Sequence, residues 1–199
     1  MDSRLVMLGA VTTALSAPIA AEASTCTYTL TEAKPGWTAY KTTQKLAVAG
    51  TFKDFKLTAG GAADSVPNAI SGASLSIVPS SVDSGLEVRN QTIATKYFAV
   101  FAPDAPFEVR VASVDGDNTS GTANLTIDIN GTQKTLAFPY TVTDDGQLSA
   151  KATMEMMDFG LKTAFDSIHK ACEVLHIGPD GISKTWTDVE LSVTAKLTK

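Results

Sequence analysis

The sequence contains no run of basic residues. Its 16 lysine and arginine residues are outnumbered by 21 aspartate and glutamate residues, which gives a net charge of −5 at pH 7. Binding to nucleic acid or to an anionic membrane surface needs clustered positive charge, so this composition argues against both partners. Hydrophobic residues make up 44% of the chain and charged residues 19%, so the chain can build a core and is not disordered.

Motifs of the common enzyme classes are also missing. There is no G-x-S-x-G elbow, no glycine-rich phosphate loop that opens a helix and no H-E-x-x-H zinc motif. Asp158-Phe159-Gly160 resembles a kinase triplet, but no lysine strand or H-R-D loop accompanies it. We therefore expect neither enzymatic activity nor a cofactor.

Long apolar runs are confined to the N-terminus. Arg4 precedes an apolar stretch over residues 5–17, and Ala21-Glu22-Ala23 provides the small residues of a cleavage site. This layout predicts a signal peptide over residues 1–23 and an exported, periplasmic protein. The alternative, an uncleaved membrane anchor, would be too short and too polar to span a bilayer. Residues 24–199 contain no second segment of spanning length and are expected to form one domain.

Only two cysteines are present, Cys26 and Cys172. In an exported protein thiols meet an oxidising environment, so an even pair predicts a disulfide between them. Two alternatives stay open. Cys26 could be a lipidated first residue of the mature protein, although Ala23-Ser24-Thr25 is a poor lipoprotein signal, or both thiols could be free.

From Trp37 onward the dominant pattern is an alternation of apolar and polar residues, which is typical of half-buried strands. The segments that show it are residues 37–41, 46–52, 75–79, 107–112, 124–130, 136–142, 148–156 and 189–197. Asn130-Gly131 and Asp145-Gly146 are turn signals between neighbouring strands. The pattern predicts an all-β fold of about eight antiparallel strands. A meander of that length closes most simply into a barrel, which leaves no exposed edge.

One segment breaks this alternation. Its apolar residues recur at helical spacing and form a single stripe, which consists of Leu161, Ala164, Phe165, Ile168, Ala171, Cys172 and Leu175. Gly178-Pro179 then ends the helix. We predict one amphipathic helix, inserted before the last strand, that lies across the barrel wall or one of its mouths.

Short motifs along the chain resemble those of the YceI-like family. They are V-A-G-T-F-K-D-F at 48–55, S-V-D-S-G at 81–85, R-N at 89–90, Y-F at 97–98, A-N-L-T-I at 123–127, N-G-T-Q-K at 130–134 and D-F-G at 158–160. Their order and spacing match the family over about residues 37–196. Asn90 and Tyr97 depart from the pattern, because the family usually has an acid after the arginine at position 89 and an aspartate before the phenylalanine at position 98.

The resemblance implies a lipocalin-like, eight-stranded antiparallel barrel, usually periplasmic, around an elongated apolar cavity for a polyisoprenoid or another long-chain lipid. Independently of the family, eight strands enclose an interior that can hold one slender ligand. We predict that large apolar side chains on the inner strand faces and at a barrel mouth bind it. These are Trp37, Phe52, Phe55, Phe107, Phe138, Met154, Met156 and Phe159.

Two other functions stay open at this point. His169, Cys172 and His176 share one helical face at spacings of three and four, which suits zinc or copper and indicates a metal-binding or redox accessory protein. A barrel filled by its own side chains would instead act as a protein-interaction module. The sequence leaves open whether the chain is a monomer or a homodimer.

Overall fold

Antiparallel strands dominate the computed structural model, which describes residues 26–102 and 105–199. Ten strands are hydrogen-bonded into one sheet. They are β1 (Thr29–Lys41), β2 (Leu46–Phe52), β3 (Phe55–Thr58), β4 (Ser74–Ile77), β5 (Val82–Asp83), β6 (Phe107–Gly116), β7 (Ser120–Ile129), β8 (Thr132–Val142), β9 (Gln147–Glu155) and β10 (Asp188–Thr198).

The sheet closes on itself as a barrel of eight long strands. β2 continues into β3 through a bend at Lys53-Asp54, and β4 continues into β5 through the 3₁₀ turn Pro79–Ser81. β3 pairs with β4, while β2 pairs with both β1 and β5, so each bent pair acts as one strand. β1 also pairs with β10, and this pairing closes the barrel. The predicted eight-stranded antiparallel barrel is confirmed, and the two bends account for the difference between eight strands and ten.

Alternation of apolar and polar residues determines which way each strand faces. In β7 every second residue from Ala123 to Ile129 is buried, and the residues between them are not. A period of two places the buried side chains on the inner face of the barrel. Asn130 and Gly131 both have positive φ and form the predicted two-residue turn into β8.

Helices cover both ends of the barrel. The first, α1 (Val66–Ile70), packs near the start of β1, and we call this the α1 end. Apart from the 3₁₀ turn Pro79–Ser81, the other helical segments lie at the opposite end, which we call the α4 end after its longest helix. They are α2 (Glu87–Ile93), a π-helical turn (Ala94–Phe98), α3 (Ala99–Phe101), a 3₁₀ turn (Met156–Phe159), α4 (Lys162–Cys172) and a 3₁₀ turn (Val174–His176). The predicted amphipathic helix before the last strand is present as α4, whereas α1, α2 and α3 were not predicted.

The predicted disulfide is wrong, because Cys26 and Cys172 are both free thiols. Cys26 precedes β1 at the α1 end, and Cys172 is the last residue of α4 at the opposite end. β1 has 13 residues, and at about 3.3 Å per residue it spans roughly 40 Å between the two ends. A disulfide needs Cα atoms within about 7 Å of each other.

The predicted signal peptide, residues 1–23, lies outside the described residues. No helix within residues 26–102 and 105–199 combines the length and the hydropathy needed to cross a membrane.

Candidate functional site

A cavity of about 440 Å³ occupies the half of the barrel nearest α4. We call it the outer cavity. Each of the eight long strands contributes at least one lining side chain, for example Val48 of β2, Ile127 of β7 and Leu191 of β10. The volume falls within the range of small-molecule sites, about 300–1,000 Å³. Because the barrel's own side chains leave this space open, the filled-barrel alternative is not supported.

The lining of the outer cavity is almost entirely hydrophobic. Lys41 and Arg89 are the only lining residues with a permanent charge, and no lining residue carries a carboxylate. Neither cation forms an ion pair within the described residues. The interior therefore suits an apolar chain, and the fixed charge beside it is positive.

Most of the predicted ligand-binding residues lie around this space. Those that line it are Trp37, Phe52, Phe107, Phe138, Met154 and Met156. Phe55 and Phe159 do not line it. Phe55 lies past the bend, in β3, opposite Ile77, and Phe159 is buried in the core within the 3₁₀ turn Met156–Phe159. Contact between the six lining residues and a ligand stays a prediction.

An aromatic wall of the cavity was not predicted. The ring centroid of Phe98 lies 5.9 Å from that of Phe52 and 5.6 Å from that of Phe107, and Phe101 stacks on Phe107 at 6.0 Å. Tyr97 packs edge-on against Phe98 at 5.1 Å and against Phe101 at 5.3 Å. Burial raises the pKa of Tyr97, so its phenol stays neutral and the wall carries no charge.

The sequence does contain a signal for this wall. Ile93, Ala94, Tyr97, Phe98 and Phe101 recur at the spacing of one helical face, and all five are buried or packed against the core. The helix that carries them is divided into α2, the π-helical turn and α3, so no long uninterrupted stripe is visible. A search for helical spacing in this part of the chain, where only strand alternation was considered, would have identified the aromatic wall.

The outer cavity opens at the α4 end, between α2 and the 3₁₀ turn that follows α4. Three of its lining residues are hydrophobic and yet exposed: Leu86 at 54%, Val88 at 73% and Leu175 at 71%. An apolar side chain that both lines a cavity and faces solvent marks the mouth of that cavity. Clustered exposed apolar side chains of this kind often mark ligand or partner sites.

Hydrogen bonds within the family-like motifs hold α2 beside the mouth. Arg89 donates from Nε to Oγ of Ser84 at 2.8 Å and from Nη2 to the carbonyl of Ser84 at 2.6 Å. Buried Asn90 accepts from the backbone N–H of Ser84 at 2.7 Å and donates to Asp83 at 3.1 Å. These bonds join β5 to α2. The Asn90 side chain both accepts and donates here. An ionised acid could only accept, so the amide is well suited to this position.

Two histidines meet at one threonine at the mouth. Nδ1 of His169 lies 2.9 Å, and Nδ1 of His176 2.7 Å, from Oγ1 of Thr185. A hydroxyl has one proton to donate and two lone pairs that accept, so at most one of the two rings accepts from Thr185 and at least one donates to it. Lys41 is nearby and donates from Nζ to the carbonyl of Leu175 at 3.5 Å. Polar groups thus gather at the mouth and leave the interior apolar.

This arrangement does not favour a metal site. Both Nδ1 atoms bond to Thr185, and within the described ranges no three His, Cys, Asp or Glu side chains are grouped so that they could hold a metal ion. Burial, together with the charges of Lys41 and His169, lowers the pKa of His176. Burial also raises the pKa of the Cys172 thiol, which disfavours the thiolate that a metal would need. The metal-binding alternative therefore has no support in the geometry of His169, Cys172 and His176.

The sequence matches a protein-family model. The model of the YceI-like domain matches residues 20–197, which is nearly the whole chain. No curated protein matches the sequence.

Solved structures share the fold at low sequence identity. BcnA from Burkholderia cenocepacia is 15% identical, with a TM-score of 0.59 over 84% of this chain and 96% of its own. A polyisoprenoid binding domain from Saccharophagus degradans is 16% identical, with a TM-score of 0.58 over 85% and 97%. The YceI protein of Campylobacter jejuni is 17% identical, with a TM-score of 0.56 over 76% and 85%.

Proposed function

Because the chain belongs to the YceI-like family, we propose that it binds a long apolar molecule, a polyisoprenoid or a fatty lipid, inside its barrel. The observation that carries the proposal is the outer cavity, a hydrophobic space of about 440 Å³ that opens to solvent at the α4 end. The Saccharophagus degradans domain with the same fold is a polyisoprenoid binding domain, which agrees with this class of ligand. We propose binding and not catalysis, since the lining residues offer no convergent set of reactive groups.

Affinity would come mainly from the burial of apolar surface, which contributes about 25 cal/mol per Å² removed from water. A slender chain in the outer cavity would exchange water for contact with the aromatic wall and the inner strand faces. Met154 and Met156 are unbranched and polarisable, so they can adapt to an irregular or branched chain.

The distribution of polar groups supports one orientation of the ligand. Lys41, His176 and Thr185 line the cavity at its mouth, whereas the lining towards the α1 end consists of residues such as Leu75, Leu125 and Phe138. An unpaired polar head buried among these would cost about 1–3 kcal/mol or more. We therefore propose that the apolar chain points towards the α1 end. The polar head would stay at the mouth, where the cation of Lys41 favours an anionic or hydrogen-bonding group.

We further propose that the protein works in the periplasm and carries or sequesters its ligand there. The signal peptide predicted over residues 1–23 supports this location. A long apolar molecule loses its favourable surroundings when it leaves a membrane, and a closed barrel would shield it from water during transfer.

Native mass spectrometry of protein purified without detergent from a periplasmic fraction tests the proposal. We expect a species heavier than the mature chain, and organic extraction should release one apolar molecule per chain. Protein that carries no such molecule, and that takes up none from added polyprenols or fatty acids, would contradict the proposal.

A matched pair of variants separates a ligand cavity from a packed core. Ala39 lines the outer cavity, while Ala47, on the paired strand, is exposed and does not line it. Ala39→Phe should lower the ligand load and leave the melting temperature close to that of Ala47→Phe, because the cavity has room for the ring. In a filled interior the same substitution would overpack and destabilise by about 1–3 kcal/mol.

A further inference from the structure

A second, smaller cavity lies deeper in the barrel, towards α1. Its volume is about 70 Å³, and we call it the distal compartment. Apart from Ser74, every residue that lines it is hydrophobic or aromatic, and the one aromatic hydroxyl, that of Tyr140, is already bonded to the carbonyl of Asp117 at 2.8 Å. Ile70 of α1 contributes to its lining at the α1 end. The compartment is therefore a small apolar space with no polar group in need of a partner.

The strands pass from the lining of one cavity to the lining of the other. In β10, Val189 and Leu191 line the outer cavity, and Ala195 lines the distal compartment. In β7, which runs in the opposite direction, Ile127 lines the outer cavity and Ala123 the distal compartment. The two spaces are therefore stacked along the barrel axis.

Five side chains touch both spaces, and each comes from a different strand. We call them the partition layer, and they are Leu75 of β4, Val109 of β6, Leu125 of β7, Phe138 of β8 and Val193 of β10. Phe138 is the largest of them and is 1% exposed. A layer drawn from five strands around the barrel separates the two spaces, and the ring of Phe138 is the largest obstacle between them.

We propose that the partition layer, through Phe138, sets the longest apolar chain that the barrel accepts, and that the distal compartment is a latent extension of the binding site. This inference rests on the proposed function. A chain that enters at the mouth with its head outside can bury successive methylene groups only until its end meets the layer. Beyond that length, added groups stay in water at the mouth and contribute no further affinity.

The expected size of the effect follows from apolar burial. Each additional methylene group that is buried raises the affinity by about fourfold. Removing the Phe138 ring joins the distal compartment to the outer cavity, which adds the volume of the ring to the 70 Å³ already present. The rise of affinity with chain length should therefore continue further in a Phe138 variant than in the wild-type protein.

Phe138→Ala and the milder Phe138→Leu test this, so that one variant remains if the other fails to fold. The probes are polyprenols lengthened by one isoprene unit at a time and straight-chain fatty acids of increasing length. Binding is followed by the fluorescence of Trp37 and Trp186, both of which line the outer cavity. In the wild-type protein affinity should rise with length and then level off. In the Phe138 variants the levelling-off should move to longer chains, while affinity for short chains stays the same or falls.

Phe159→Ala and Phe159→Leu are the matched controls, because Phe159 is also buried in the core, at 3% exposed, but lines neither cavity. They should keep the wild-type length limit. A second substitution, Ala195→Leu, fills the distal compartment and should return Phe138→Ala to the wild-type limit.

The outcomes separate the two proposals. If the wild-type protein binds the probes but the Phe138 variants keep its length limit, the partition is refuted and the proposed function stands. An equal shift of the length limit in the Phe159 variants would show that the effect comes from general loosening of the core. That result would also refute the partition. If no polyprenol or fatty acid binds to the wild-type protein, the proposed function fails and the inference fails with it.

Discussion

Trp37 lies directly opposite Gly50 across the β1–β2 pair, and its indole covers the glycine. A Cβ atom at position 50 would lie 2.7 Å from Cε2 of the indole and 2.7 Å from the carbonyl oxygen of Asp83, closer than real Cβ atoms approach other heavy atoms. Trp37 lines the outer cavity. The absence of a side chain at Gly50, within the V-A-G-T-F motif, therefore fixes the position of one wall of the cavity.

Gly50→Ala should displace the indole of Trp37 and the backbone at Asp83, and so change the outer cavity. We expect altered tryptophan fluorescence and weaker binding of the polyprenol probes, by severalfold. Gly61→Ala is the control, because a Cβ at that position meets nothing within 4 Å. Equal binding by the two variants would show that the position of Trp37 does not matter for the ligand.

The barrel could be predicted from the sequence because strand alternation and turn chemistry are local properties. The buried face of β7 and the Asn130-Gly131 turn can be identified without knowledge of the rest of the chain. The mouth could not be predicted in this way. Lys41 and Thr185 are brought together by a bridge between distant parts of the chain, and no local pattern marks either of them.

The disulfide prediction failed for a related reason. It rested on the compartment and on an even count of cysteines, and neither of these contains information about distance. Cys26 and Cys172 lie at opposite ends of the barrel, so only knowledge of the strand order could have excluded the bond.

The mouth itself can be tested with a charge placed on its rim. Leu175 and Val174 are neighbouring, exposed apolar residues, but only Leu175 lines the outer cavity. Leu175→Asp should slow uptake and lower the affinity for an apolar ligand, because the carboxylate must lose water as the chain passes. Val174→Asp should bind normally. Both variants should stay within about 0.5 kcal/mol of the wild-type free energy of unfolding, since the sites are exposed.

The two thiols should be free and unequal in reactivity. Denatured, unreduced protein should titrate with two thiols per chain. A titration that finds no thiol would show that the disulfide forms after all. In the folded protein the exposed Cys26 should react quickly. Cys172 should react slowly, because burial raises its pKa and lowers the thiolate fraction. Since Cys172 lines the outer cavity, a bound polyprenol should protect it and leave Cys26 unprotected.

Stability should fall on mild acidification because of His176. Burial lowers the pKa of His176 below its ordinary value of about 6.5, so the unfolded chain takes up this proton more readily than the folded protein. The free energy of unfolding contributed by His176 is therefore highest above about pH 6.5 and decreases as the pH falls towards the folded pKa. Thermal unfolding from about pH 8 to about pH 5 should show a smaller decrease for His176→Asn than for the wild-type protein. Parallel curves would contradict the assignment.

Closure of the barrel by β1 and β10 also has a consequence for folding. The side chain of Thr31 donates to the carbonyl of Lys196, and these residues are 165 positions apart. The nascent chain cannot complete the barrel until β10 has been synthesised, and contacts of such long range make folding slow. The barrel would therefore stay open until late in folding. A product truncated before β10 would leave a seam between β1 and β9, so it should be degraded quickly by proteases and should not retain an apolar ligand.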